Sequence, residues 1–177
     1  KEHAMPLADF LTSLSTGHLH RVPGTAVFMT SEAAGAPVVL FHHLKHNKCL
    51  HERVILLSIR TAEIPYVEDN DRVFVELLDH GFARVTAEYG FMESPDVKEV
   101  MKLLQLRGMN TKPMETSFFL GSETLIPQQR ARTPGGLTMS LWRKKLFALM
   151  SRNAQSAAAF FQLTPNRVVE LGTQIEF

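Results

Sequence analysis

The sequence predicts a single α/β domain of mixed α+β character, with a central mixed sheet that contains a β-α-β unit and a β-hairpin and is flanked by helices. Three observations support this fold class. Two short apolar runs, residues 25–29 and 54–59, enclose a segment of helical character. Two further β-prone runs are separated by a glycine-containing turn and are followed by a strong helix start. A chain of 177 residues that is 45% hydrophobic can bury one sizeable core.

The β-α-β unit is predicted in the first third of the chain. Residues 25–29 are apolar and bounded by turn-forming residues, which is typical of a buried strand. Pro37 suits the first turn of a helix over residues 38–46, and the second strand is expected at residues 54–59. Because a right-twisted strand and a helix pack back onto a sheet in one hand, we expect a right-handed crossover between parallel strands.

The hairpin and the helix after it have the clearest local signals. Residues 73–78 and 82–91 are β-prone and are separated by Asp79-His80-Gly81, where glycine can adopt the positive φ of a tight turn. Ser94-Pro95-Asp96 predicts a helix with a serine cap and an acidic first turn, and Gly108 predicts its end.

The remaining elements surround these two units. Residues 7–14 have apolar side chains at a helical spacing, and residues 1–22 are interpreted as a linker that contains this short amphipathic helix. Residues 23–177 are then the α/β domain proper. Other predicted elements are a short strand pair at residues 116–126, an exposed loop at 127–136, one long helix or two in series at 142–161, and a final strand within 167–177.

Composition excludes several classes of function. The formal net charge is only +1, so no overall field attracts nucleic acid, and we expect no nucleic-acid partner. The single cysteine, Cys49, permits no intramolecular disulfide and no four-thiolate zinc site, which fits a reducing compartment. The most apolar stretches are far shorter than the roughly 20 residues that a membrane span needs.

No sequence motif supports catalysis or a metal site. His42 and His46 are spaced like zinc ligands on one helix face, but His43 stands where metalloenzymes have a glutamate, and neighbouring lysines would repel a cation. Cys49 and His51 have no evident acidic residue to orient them as a nucleophile pair. We therefore expect no catalytic residue, no metal and no cofactor, and interpret the protein as a non-enzyme.

A small-molecule site has a better geometric basis at the carboxyl edge of the predicted sheet. In open α/β sheets, ligands bind beyond the carboxyl ends of parallel strands, near helix N-termini that attract phosphate. That edge holds Thr30 and Ser31 after the first strand and Arg60 and Thr61 after the second. Turn formation explains the hydroxyl side chains equally well, so both interpretations stay open.

Six strings of the sequence resemble consecutive blocks of one known family. They occur in the order found after the last membrane helix of KUP-type (KUP/HAK/KT) potassium uptake transporters. The strings are RVPGTAVF at residues 21–28, HHLKHNK with LHERV at 42–48 and 50–54, YGFME at 89–93, TSFFLG at 116–121, FALMSRNA at 147–154 and PNRVVELG at 165–172. Two departures are His43, where the family often has asparagine, and residues 127–139, which are longer and more basic than in many relatives.

The resemblance implies a parent membrane protein that imports potassium together with protons. It implies that this domain lies on the cytoplasmic side of the cell's inner membrane, joined by residues 1–22 to the transmembrane part of the same transporter, with the membrane surface nearby. It also implies that the domain is not itself the ion path, because the ion-selective residues belong to the transmembrane part.

Regulation and assembly are the two roles that the resemblance implies. A sensor would bind a cyclic dinucleotide such as cyclic di-adenosine monophosphate, which regulates some family members, or another nucleotide, and so gate transport. An assembly module would hold two protomers together as a homodimer through an apolar patch, for which the helix at residues 142–161 is the candidate. A pure dimerisation scaffold is therefore the alternative to a nucleotide-sensing domain.

The candidate residues for binding a ligand or an interface lie within the resembling strings and are suited to phosphate. They are Lys45, Asn47, Lys48, Arg53, Arg152 and Asn153. The same side chains can instead pair with Glu52 or cap the preceding helix. Basic residues at positions 130, 132 and 143–145 are suited either to lipid head groups or to a solvated surface.

Overall fold

The computed structural model describes residues 6–16, 19–31, 35–126, 143, 147, 149–150 and 156–176. Its helices are α1 (Leu7–Thr16), α2 (Val38–Asn47), α3 (Val97–Leu106) and α4 (Ala157–Phe160). Its strands are β1 (His20–Met29), β2 (Cys49–Ala62), β3 (Val73–Leu77), β4 (Phe82–Gly90), β5 (Thr116–Ile126) and β6 (Val168–Glu176).

These strands form one mixed sheet in the order β3-β4-β2-β1-β5-β6. The pairs β1/β2, β2/β4, β1/β5 and β5/β6 are parallel, and only the edge strand β3 runs antiparallel to its neighbour β4. The predicted α/β fold class, the β-α-β unit from β1 through α2 to β2 and the β3-β4 hairpin are all confirmed. The handedness of the crossover stays a prediction.

The central strands bury side chains on both faces of the sheet. On one face Val27, Ile55 and Phe118 belong to a core covered by α3. The residues that follow them, among them Phe28 and Phe119, belong to a second core beneath α1 and α2. Successive residues of a strand point to opposite faces, so a run that is apolar at every position must be covered on both sides.

The hairpin turn needs a backbone conformation that only a few residue types adopt easily. His80 and Gly81 both have positive φ, of 59° and 76°. A Cβ on Gly81 would lie 2.4 Å from the Glu52 carbonyl oxygen, so glycine is also required for close approach to β2. The prediction of a glycine turn is confirmed.

Two local predictions were wrong, and each was decided by a particular contact. The cap of α3 is Asp96 and not Ser94, because the Asp96 carboxylate accepts the Lys98 N–H at 2.8 Å. Residues 116–126 form one strand and not a strand pair, since β5 continues through Gly121, which is paired with Leu171 of β6.

The late helical region is divided in two. Positions 143, 147 and 149–150 are helical. A new helix, α4, begins after Ser156, whose extended backbone and hydroxyl acceptor cap it. Of the two forms predicted for residues 142–161, helices in series are therefore found, and the predicted loop at 127–136 lies outside the described residues.

The segment between β2 and β3 is fastened to the end of β4 by a largely buried ion pair, which we name the latch. Arg72, only 6% exposed, donates to a Glu93 carboxylate oxygen at 2.9 Å and to the Val67 carbonyl at 2.6 Å. The other Glu93 oxygen accepts the backbone N–H groups of Val67 and Gly90, at 3.0 and 2.6 Å. The Arg72 guanidinium also lies over the Tyr89 ring, 4.6 Å from its centroid. The latch thus joins two strand-end loops through one carboxylate.

Charge and burial both perturb titration at the latch. The Arg72 guanidinium, followed by the N–H groups of Gly90 and Val67, holds the pKa of Glu93 at about 2, well below the ordinary 4.5. Burial raises the pKa of Tyr89 to about 12, and its hydroxyl donates to the Asp96 carbonyl at 2.8 Å. The latch is therefore connected to the residue that caps α3.

Gly90→Ala is expected to destabilise the protein by roughly 2–4 kcal/mol, because the new Cβ would lie 2.0 Å from the Pro65 carbonyl oxygen and force the two loops apart. Urea unfolding followed by circular dichroism measures the change. Gly121→Ala is the matched control, since no atom lies within 4 Å of its Cβ position. Equal midpoints for the two variants would contradict the close packing at Gly90.

Glu93→Gln is expected to cost about 2–3 kcal/mol at pH 7, because it leaves the largely buried Arg72 guanidinium with only the exposed Asp69 as a charge partner. Glu93 is 17% exposed, so the cost falls below that of a fully buried pair. The wild-type contribution is present above pH 4.5 and is lost as the pH falls towards 2, because the folded-state pKa is depressed. Urea unfolding between pH 4.5 and 3 should show this slope in the wild type and in the exposed control Glu68→Gln, and a smaller slope in Glu93→Gln. A slope unchanged in Glu93→Gln would refute the assignment.

Candidate functional site

The described members of the two groups of candidate residues lie towards opposite edges of the sheet. Lys48 precedes Cys49, which pairs with His20 at the start of β1, so the first group is at the amino edge of the parallel strands. Thr30 and Ser31 follow the end of β1 at the carboxyl edge. A single small ligand cannot contact both groups, because β1 separates them by roughly 30 Å.

At the amino edge, two of the candidates make structural contacts. The Asn47 amide donates to Nδ1 of His43 at 2.9 Å. Arg53 donates to the Asn110 carbonyl and ties the segment before β5 to β2. Lys45 and Lys48 are exposed, and their ammonium groups have no partner among the residues that the structure describes. These two lysines are thus available to an anion, although the C-terminal dipole of α2 also attracts them.

Lys48 adopts the left-handed conformation, with φ of 53°, and caps α2 by donating its N–H to the Leu44 carbonyl at 3.0 Å. This turn brings the helix directly into β2. Arg152 and Asn153, the last two candidates of this group, lie outside the described residues.

At the carboxyl edge, β1 stops short of both its neighbours. The Thr30 N–H donates to the Leu57 carbonyl at 2.9 Å, whereas β2 continues to Ala62 and β5 to Ile126. The strand order changes direction here, which is where α/β sheets bind ligands. Nearby, Pro37 caps α2 without a side-chain hydrogen bond, so the first helical N–H groups receive no acceptor from the capping side chain.

The register separates the four carboxyl-edge candidates. Arg60 lies three residues beyond Leu57, roughly 10 Å further along β2 than the end of β1. Arg60 and Thr61 are consecutive and exposed, and they point to opposite faces of the sheet. A ligand on one face, held by Thr30, can therefore reach only one of them.

The imidazoles of the buried His43 and the half-buried His51 form a cluster that the sequence did not predict. His43 is 3% exposed and packs against Phe119, with ring centroids 4.6 Å apart, and its ring lies 6.2 Å from that of His51. Nε2 of His43 and Nδ1 of His51 are buried with no hydrogen-bond partner in the described part of the chain. The signal was available, because His43 follows the buried Val39 and Leu40 at helical spacing.

Burial lowers the pKa of both imidazoles, and proximity to His51 lowers that of His43 further. The cluster is therefore neutral at physiological pH. His42 and His46 stack 6.5 Å apart on the same helix, but within the described ranges no third side chain joins them in a group that could hold a metal ion.

A groove of about 600 Å³ lies between α1 and the β3-β4 hairpin. Its apolar wall includes Leu7 and Leu11 of α1 and Leu77 of β3, and its polar wall includes the ion pair between Arg84 and Glu76, whose atoms are 2.6 Å apart. The predicted amphipathic helix thus packs on the domain, with Leu7 almost completely buried. Because Arg84 is already paired with Glu76 and Asp79 adds a negative charge to the lining, this groove does not suit a phosphate ligand.

In the described part of the chain, no helix combines the length and the apolar character that crossing a membrane requires. The family model of the K+ potassium transporter C-terminal domain matches residues 23–177. No solved structure matches the chain.

Curated relatives resemble nearly the whole chain. A probable potassium transport system protein Kup of Myxococcus xanthus is 53% identical over 173 residues, which are 98% of this chain and 26% of that protein. The protein of the same description in Anaeromyxobacter sp. is 52% identical over 97% of the chain, and that of Bdellovibrio bacteriovorus 43% over 99%. The chain spans about a quarter of the length of these relatives, 26% in all three.

The buried imidazoles predict a loss of stability in mild acid. Because their pKa values in the folded state lie below the ordinary 6.5, the unfolded chain binds protons first, and the free energy of unfolding falls as the pH drops below 6.5. The slope is at most about 1.4 kcal/mol per pH unit for each ring. Urea unfolding between pH 7.5 and 5 measures it.

His43→Gln should flatten this slope, whereas the exposed control His20→Gln should leave it unchanged. If His43→Gln retained the full wild-type slope, the buried ring would not be the group that titrates.

Proposed function

This chain belongs to the family of K+ potassium transporter C-terminal domains, and from that premise we propose that it is the cytoplasmic regulatory and assembly domain of a proton-coupled potassium uptake transporter. The domain is not itself the ion path and has no catalytic role. It lies on the inner side of the membrane and has the transmembrane part of the same protein as its first partner.

This proposal rests on the family match and on the share of the chain, and of its relatives, that the match covers. The model matches residues 23–177, and relatives described as potassium transport system proteins are roughly four times as long as the chain. Among the residues that the structure describes, both faces of the central strands are packed mainly with aliphatic and aromatic side chains. A role in controlling or assembling a neighbouring pathway fits such a domain better than conduction.

Regulation by a nucleotide is favoured by two specific features. The ammonium groups of Lys45 and Lys48 have no acceptor among the described residues, and the N-terminus of α2, at the same edge of the sheet as Thr30 and Ser31, lacks a side-chain cap. Either edge can therefore offer donors to phosphate. To gate transport, the nucleotide must bind one state of the transporter more tightly than the other.

A purely structural role in dimerisation is favoured by a different feature. Phe147, Leu149 and Met150 are 48%, 56% and 63% exposed in the late helical region, and Phe160 of α4 is 50% exposed. A homodimer would cover such side chains. The two roles are compatible, since a ligand can act by changing the dimer.

Isothermal titration of the domain with cyclic di-adenosine monophosphate, with AMP and ATP as controls, tests the sensor role. If the amino edge is the site, Lys45→Ala/Lys48→Ala should weaken binding by roughly 100-fold or more, because each charge-assisted hydrogen bond contributes about 1.5–3 kcal/mol. The free energy of unfolding of this double variant should stay within about 0.5 kcal/mol of wild type, because neither ammonium group has a structural partner in the described residues. Arg60→Ala is the corresponding variant at the carboxyl edge.

Arg53→Ala is the structural comparison, and it should lower stability by about 1 kcal/mol through loss of the bond to the Asn110 carbonyl. Light scattering measures the mass in parallel. Absence of heat with all three nucleotides, together with a stable dimer, would refute the sensor role for these ligands and leave assembly.

A further inference from the structure

Four large apolar side chains are exposed together at the carboxyl edge of the sheet, and we name them the rim patch. Ile64 and Tyr66 follow β2 and are 52% and 64% exposed; Phe91 and Met92 follow β4 and are 58% and 62% exposed. Leu106 on α3 is exposed singly, which is common on protein surfaces, whereas the rim patch is a group, as are the exposed side chains of the late helical region. The rim patch needs a different explanation.

The members of the rim patch are neighbours in space because backbone hydrogen bonds join their loops. The Phe91 N–H donates to the Ile64 carbonyl at 3.0 Å, and the Met92 N–H donates to the Pro65 carbonyl at 3.2 Å. The backbone of Val67, next to Tyr66, is held by the Glu93 carboxylate. Together the four residues expose on the order of 500 Å² of surface, the size of the largest apolar patch on a typical monomer, which is often a functional surface.

The latch fixes this surface in advance. Arg72 and Glu93 are paired beneath the loops, and Gly90 lets the Pro65 carbonyl approach so closely that a Cβ would collide with it. Ordering two loops around a largely buried ion pair costs desolvation and conformational entropy. A surface held in one conformation loses less entropy when it binds, so the arrangement suits recognition of a partner.

Acidic residues predominate in the segment that holds Ile64 and Tyr66, where the Arg107 guanidinium donates to the Asn70 carbonyl at 2.6 Å. Residues 63–71 contain Glu63, Glu68, Asp69 and Asp71 but no lysine or arginine. Asp69 pairs with Arg72, whereas the other three are exposed and have no ion pair with the residues described. This charge repels an anionic lipid surface, and it also opposes contact between the rim patches of two copies. An apolar partner with basic residues fits best.

We propose that the rim patch is a docking site for a basic, partly apolar loop of the transmembrane part of the same transporter. Cytoplasmic loops of membrane proteins carry an excess of lysine and arginine, which complements the acidic border, while the four apolar side chains supply the buried contact. This inference rests on the proposed cytoplasmic location of the domain beside that part. Docking there would link the position of the domain to the state of the pathway.

Site-specific photo-cross-linking in the full-length transporter tests the proposal. The variants Tyr66→benzoylphenylalanine and Phe91→benzoylphenylalanine are expected to cross-link to one Lys/Arg-rich loop of the transmembrane part, identified by mass spectrometry. Leu106→benzoylphenylalanine is the control at a similarly exposed site, 75% exposed on α3, and should not label that loop. Cross-links only to lipid, only to the rim patch of a second copy, or to no protein would each overturn the proposal.

A charge-reversal pair tests the role of the acidic border without disturbing the core. Glu63→Lys/Glu68→Lys should lower the cross-linking yield from position 91 at least tenfold, whereas the matched pair Glu52→Lys/Glu170→Lys, also exposed, should leave it unchanged. Equal yields for the two pairs would show that the border does not contribute to docking and would overturn the charge argument.

Failure of docking can be distinguished from failure of the proposed function. Potassium uptake by the full-length protein with and without residues 23–177 reports whether the domain regulates transport at all. An uptake unchanged by deletion, together with specific cross-links to the basic loop, would reject regulation and retain the docking site. An altered uptake without cross-links would retain regulation and reject the docking site.

Discussion

The side chains of β2, β1 and β5 are buried on both faces of the sheet, so each face needs a layer of helix above it. Phe28, Leu56 and Phe119 require α1 and α2, and Val27, Ile55 and Phe118 require α3. Parallel strands also need connections that cross from one edge to the other, and the helices provide both the crossing and the cover. The strands end at different positions along the sheet, and polar and exposed groups lie at these uneven edges. Both candidate sites and the rim patch lie at such edges.

Much of this fold was predictable because its strongest signals are local. The apolar runs around Val27 and Ile55, the glycine turn at Gly81 and the amphipathic face of α3 each depend on residues within a few positions of one another. The two wrong predictions concern features that depend on residues distant in sequence or on two possible caps. Gly121 suggests a break in the chain, but pairing with β6 keeps β5 extended. At the start of α3, both Ser94 and Asp96 can act as the N-cap, and the sequence alone does not show which side chain has the required geometry.

The candidate sites were predictable only in part. The location of Thr30 and Ser31 at the carboxyl edge follows from strand order, and the structure has them there. The latch could not be foreseen, because Arg72 and Glu93 are 21 residues apart and no periodicity connects them. The neutral pair formed by His43 and His51 depends likewise on packing between α2 and β2, although the helical spacing of His43 indicated its burial. Exposure of Tyr66 and Phe91 is a property of loop geometry that hydrophobicity does not reveal.

The central position of β1 also affects how the domain is made. Thr25 of β1 pairs on one side with Arg53 and on the other with Thr116, so the ribosome synthesises the second partner long after the first. Until β5 emerges, the nascent chain has an open sheet edge beside the bulky Phe28, which stacks on Phe119 only in the finished structure. Non-local pairing of this kind folds slowly and exposes aggregation-prone surface. The same topology that gives the sheet its two buried faces therefore leaves apolar surface exposed on the growing polypeptide until its central strand is enclosed.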